Sequence, residues 1–123
     1  MVEGLHGGSS RRVDVVNAVR LMHTDPTFDV VGLASLVHLS VRKLSRCLQP
    51  QTAPARLIGN ARVVTALGII RRRLETTLEH VMRESGFTDR NTFRPTFVRV
   101  TGVTPTAARE QSRRRGCGAG EDW

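Results

Sequence analysis

Apolar positions in this chain recur every three to four residues, in segments separated by short polar or proline-bearing breaks. That is the period of a helix with one buried face. Val13, Val16, Ala18, Val19 and Met22 predict a first helix over about residues 12–23, ended by Asp25-Pro26. Val30, Leu33, Ala34 and Val37 are the inward positions of a second, residues 30–37, with Asp29 as its N-cap. After a turn at His38-Leu39, Ser40 caps a third helix, residues 41–49, with Val41, Leu44 and Leu48 facing inward. Pro50 limits its continuation. Pro54 opens a longer helix reaching Ile70, on which Leu57, Ile58, Ala61, Val64, Thr65, Leu67 and Ile70 spread over more than one face. Gly59 and Gly68 weaken it, and Arg71, Arg72 and Arg73 close it favourably. Residues 78–84 make the next short helix, Gly86 the turn, and residues 90–99 a capped helix with Phe93 and Phe97 four apart. A last short helix starts at Pro105 and ends near Gln111. The reading is all-α, with about seven helices.

One arrangement occurs twice. VVGLASLV followed by HLSVRKLSR in the first half corresponds to LEHVMRE followed by SGFTDRNTFRPTF in the second. Each is a short apolar helix, a tight turn, a capping Ser or Asp, and a helix with bulky apolar residues four apart. Helix, turn and capped helix is the helix-turn-helix pattern, and two of them in a small basic chain point to DNA.

Charge agrees. In 123 residues, 19 Lys and Arg stand against 11 Asp and Glu, a net charge of +8 that suits nucleic acid or an anionic membrane surface. No run of about 18 apolar residues is present to span a membrane, and no secretory signal is visible, so a cytoplasmic, nucleoid-associated protein is expected. Cys47 and Cys117 match no C-x-x-C spacing and are read as plain thiols. Residues 1–11 and the basic, glycine-bearing residues 112–123 are expected to be flexible ends. Between them lie a first subdomain (12–52), a linker helix (53–70) and a second subdomain (71–111).

With these residues laid out, the chain resembles the C-terminal DNA-binding domain of the AraC/XylS family of bacterial transcription regulators, over residues 13–109. The resemblance rests on Leu33-Ala34, Ser40, Leu44, Arg46 and Leu48, then on Pro54, Leu57, Ile58, Arg62, Ala66, Ile69 and Ile70. It ends with Gly86-Phe87, Asp89, Phe93, Phe97, Gly102, Thr104-Pro105 and Arg109. It implies two helix-turn-helix subdomains joined by a linker helix, each putting a recognition helix into a major groove of promoter DNA. The chain departs from the pattern in four places. The segment before Pro54 is about two residues short and has Ala53 near the usual glycine. Met82 replaces a small alanine, and an extra residue falls between Ile70 and Leu78. Pro95 stands where arginine is usual, inside the second recognition helix; it removes a backbone donor and kinks the helix unless it falls within the first turn, as it would nearly do if the helix began at Asn91.

On the first recognition helix the residues opposite the apolar side are Arg42, Ser45, Arg46 and Gln49. Arginine suits guanine because its planar fork donates two parallel hydrogen bonds to O6 and N7. The resemblance also places base contacts at Arg42, Ser45 and Arg46. Lys43 is read as a phosphate contact, and Gln49 as reaching adenine or a phosphate. In the second copy the corresponding set is Arg90, Asn91, Thr92 and Pro95, with Arg94 beside them; phosphate positioning is its expected role. Arg71, Arg72, Arg73 and residues 113–115 are solvated faces or backbone contacts.

Ser40-Val41-Arg42-Lys43 spells S-x-x-K, but Ser40 is better explained as a cap, and the rest of such a catalytic site is missing. His6, His23, His38 and His80 form no ligand spacing. No enzyme activity, cofactor or metal is expected. The expectation is a sequence-specific regulator acting as a monomer on double-stranded DNA, spanning two major grooves about 34 Å apart, with RNA polymerase as a possible second partner. The rivals are a nonspecific nucleic-acid binder and a decayed regulator serving as a protein-interaction module.

Overall fold

The computed structural model describes residues 8–121. Among them are seven helices and no strand: α1 (Gly8–Met22), α2 (Val30–Leu36), α3 (Val41–Leu48), α4 (Pro54–Arg72), α5 (Leu78–Glu84), α6 (Arg90–Thr101) and α7 (Pro105–Glu121). The chain divides between Ala61 and Arg62 into two compact units, and α4 contributes residues to both.

The first unit buries Val15, Ala18 and Val19 of α1, Phe28 just before α2, Leu33 and Ala34 of α2, Leu44 and Leu48 of α3, and Ile58 of α4. In α1 the buried stripe starts at Val15 and continues through Ala18, Val19 and the partly buried Met22. Val13 and Val16, expected inward, are exposed. Valines at 13, 15, 16 and 19 cover two adjacent helix faces, and only contact with α2 and α3 selects between them. Val41 is also exposed rather than inward: it is the first residue of α3, and Leu44 and Leu48 carry the packing. Both predicted caps are present. Asp29 Oδ1 accepts from the Gly32 N–H at 2.8 Å and Ser40 Oγ from the Lys43 N–H at 3.1 Å.

The second unit is built from Val63, Ala66, Ile69 and Ile70 of α4, Val81 and Met82 of α5, Phe87, Phe93 and Phe97, and Ala108 of α7. Here Val63 is buried and Val64, expected inward, is 66% exposed. Three phenylalanine rings meet in series, tilted or edge to face. Phe87 and Phe93 have centroids 5.0 Å apart, and Phe93 meets Phe97 edge-on at 5.7 Å. Such pairs add about 0.5–1.5 kcal/mol beyond their area. Met82 is buried among them in place of a smaller residue, its unbranched chain adapting to the available gap.

The two turns share one hydrogen-bond arrangement. After α2, the His38 N–H donates to Ser35 O (3.1 Å) and the Leu39 N–H to Ala34 O (2.9 Å). After α5, Gly86 donates to Arg83 O (3.1 Å) and Phe87 to Met82 O (3.0 Å). Each pair closes a Schellman motif, which uses the last carbonyls of one helix and reverses the chain toward the next. The motif needs a left-handed residue. Gly86 (φ 102°) supplies it without a Cβ, whereas in the first unit His38 adopts φ 61°.

Both ends run further in helix than expected. Residues 8–11, assigned to a flexible end, belong to α1, and α7 continues past Gln111 to Glu121. No proline interrupts either stretch, the first N–H groups of a helix need no intrahelical acceptor, and the arginines at 113–115 are good helix formers. Residues 1–7 and 122–123 of the expected flexible ends, and the side chain of Cys117, lie outside the described residues. Cys47 is a free, half-buried thiol.

Arg109 is a buried cation in the second unit, 7% exposed, with Nε and Nη2 shut off from solvent and without a hydrogen-bond partner. Desolvation, and then repulsion from Arg113, lower its pKa below the usual arginine value. A group depressed in this way opposes folding while it is charged.

Two substitutions test these points. His38→Gly removes the left-handed strain and is expected to stabilise the chain by about 0.5–1 kcal/mol, seen as a higher urea midpoint at unchanged slope. Arg109→Met keeps the packing volume without the buried charge and is expected to raise the thermal midpoint. A fall of several degrees would mean that the guanidinium is engaged.

Candidate nucleic-acid interface

Leu44 and Leu48 lie one turn apart and are buried, so the opposite side of α3 is turned to solvent. Arg46 occupies the middle of that side, with Arg42, Lys43 and Gln49 around it, all exposed. Ser45 and Cys47 flank the buried edge and are half-buried. Three cations thus share a short helix that carries no acidic residue. The hydroxyl of Ser40 is occupied as the helix cap, which accounts for the S-x-x-K spacing structurally.

An arginine that local patterning missed braces this helix from outside. From α1, Arg12 Nε donates to Cys47 O (3.1 Å), and Nη2 donates to Gln49 O (3.4 Å) and Gln51 Oε1 (2.9 Å). It therefore puts a positive charge on the carbonyl end of α3, where the helix dipole favours a cation. The partners are 35 to 39 residues away, so no local pattern in the sequence could have revealed them.

In the second unit Asp89 Oδ1 accepts from the Asn91 N–H at 3.0 Å and caps α6. Phe93 and Phe97 turn inward; Asn91, Thr92, Arg94 and Pro95 are exposed. Counted from the two caps, Asn91 corresponds to Arg42, Thr92 to Lys43, Arg94 to Ser45, Pro95 to Arg46 and Val98 to Gln49. The helix continues through Pro95 to Thr101, so the proline does not end it. What the ring removes is the N–H that would meet Asn91 O; on this exposed side that carbonyl has water as an alternative.

Arg90, a predicted contact, points into an ion pair with Glu79 of α5: Nη2 lies 3.1 Å from Oε1, while Arg83 takes Oε2 at 2.7 Å. Glu79 was not foreseen, because its pairing with Arg90 spans 11 residues and a turn. A cavity of about 570 Å³ opens beside the first turns of α5, α6 and α7, with Glu79, Arg90 and Arg94 at its polar edge. Of the basic runs, Arg71 and Arg72 are exposed, and Arg73 pairs with Glu84 at 3.3 Å, a carboxylate that also meets His80. Arg113 reaches Leu74 O at 3.4 Å. Among the described residues, no group of three or more His, Cys, Asp or Glu could hold a metal ion, and no helix is long and apolar enough to cross a membrane.

A family model described as a helix-turn-helix domain matches residues 33–111. A solved structure of a Listeria innocua protein of unknown function is similar with a TM-score of 0.70 and 20% identity, over 78% of this chain and 91% of that one. At that identity the likeness concerns the fold alone. No curated protein matches the chain.

The Arg12 brace generates a prediction. Arg12→Ala should cost about 1 kcal/mol in urea unfolding, as expected for exposed hydrogen bonds to a charged donor. It should also speed amide exchange in the last turn of α3. Arg12→Lys should recover only part of the loss, since one ammonium cannot reproduce the fork.

Proposed function

The chain belongs to the AraC-type helix-turn-helix family of DNA-binding domains, and from that premise we propose that it is a sequence-specific transcription regulator that reads promoter DNA. The observation that carries this reading is the exposed side of α3. A capped helix, anchored by Leu44 and Leu48, presents Arg46 and Arg42 outward with no carboxylate beside them on the helix. Arg46 and Arg42 take guanine O6 and N7 in the major groove, Ser45 and Gln49 add polar base or sugar contacts, and Lys43 neutralises a phosphate. Around α6, Arg90, Asn91, Thr92 and Arg94 meet the duplex at a second groove segment. The regulator acts as a monomer in the cytoplasm, at promoters where RNA polymerase is the natural second partner.

A nonspecific binder is the second reading. It draws on Pro95 at the centre of the α6 surface and on Arg90 being engaged by Glu79. Competition separates the two, because a specific regulator prefers its site over bulk duplex by ~10³ or more. Arg46→Ala is expected to cost about 1–3 kcal/mol on the preferred site and to relax the choice at one base pair. Uniform weakening on every sequence, measured by titration at fixed salt, would favour the nonspecific reading instead.

A further inference from the structure

The outward surface of α6 differs chemically from that of α3, although the two helices are capped and anchored alike. In α3 the positions around the centre are Arg42, Lys43 and Arg46. In α6 they are Asn91, Thr92 and Pro95, with Val98 exposed further along. The nearest guanidinium at the helix start, Arg90, is held by Glu79. Arg94 lies at the flank, where α3 has Ser45. The centre of the second surface is therefore a primary amide, a methyl-bearing hydroxyl and an aliphatic ring.

Those groups suit one kind of base pair. The asparagine amide donates and accepts in the pattern that adenine N7 and N6 require, and aliphatic carbon packs on the C5-methyl of thymine. Guanine finds no forked cation at the position of Pro95, and cytosine offers no methyl. We infer that α6 reads A·T base pairs, through Asn91 on adenine and through Thr92 and the Pro95 ring on thymine methyls, while α3 reads guanine. The operator is then chemically two-part: one cluster holds guanine and the other adenine and thymine. This inference rests on the DNA-binding reading and adds the base preference of the second unit.

The test selects bound duplexes from random DNA with the full chain, and then replaces each thymine of the selected site by deoxyuridine, which pairs identically but lacks the methyl group. The expected result is two clusters, the second rich in A·T. Replacement there should weaken binding ~3–5-fold for each methyl contacted, as expected for one buried methyl group, and replacement in the guanine cluster should change little. Pro95→Arg, which places the residue type of Arg46 at the matching position, should shift the base pair under residue 95 toward G·C and remove its sensitivity to deoxyuridine, while a thymine met by Thr92 keeps its own. Since it removes a proline from a helix interior, it should not impair folding. A single guanine cluster, a second cluster of G·C pairs, or indifference to deoxyuridine would overturn the A·T assignment and leave the DNA-binding reading standing. A chain that selects no sequence would overturn both.

Discussion

Burial of two residues one turn apart, Leu44 and Leu48 in α3 and Phe93 and Phe97 in α6, is the constraint on which the candidate interface depends. Each pair fixes the rotation of its helix about its own axis, and everything on the opposite side is then obliged to face solvent. Neither helix is long enough to be stable alone in water; both derive their order from the aliphatic and aromatic surfaces beneath them. The outward residues contribute little to that packing, so their identity can be governed by what they touch outside the protein.

The two units show how far one framework can be reused with different surfaces. Their turns close through the same pair of main-chain hydrogen bonds, yet one uses glycine and the other a strained histidine. α3 and α6 start from a neutral serine cap in one case and an aspartate in the other. Around α3 the cations of the helix meet no acidic neighbour within it, whereas around α6 the first arginine is already engaged by a carboxylate. Each helix carries three cations and no acidic residue of its own, so the two candidate readers differ in where their cations sit and in the pairing of Arg90, not in their number.

Much of this was legible in the amino-acid sequence, for physical reasons. Helix identity followed from spaced apolar residues and capping side chains, and the caps Asp29, Ser40 and Asp89 act where they were expected. Choices between adjacent faces were not legible. Val13, Val15 and Val16, and likewise Val63 and Val64, are equivalent by local periodicity, and only tertiary contact decides which is buried. The stop expected after Gln111 failed because glycine lowers helix propensity without forbidding a helix. Arg12 and Glu79 escaped notice because their partners belong to other elements. For the proposed DNA contacts, residue types and spacing were legible, and the structure adds that Ser45 is half-buried and that Arg90 is already paired.

Arg12 grips α3 mainly by main-chain oxygens, those of Cys47 and Gln49. Every amino acid carries such an oxygen, so the grip does not depend on which side chains occupy those positions. The seating of the helix and the message it displays are thereby separable. On the proposed reading, a lineage of such domains can change its vocabulary of bases by point substitution on the outer side of α3, without rebuilding the mount that aims it.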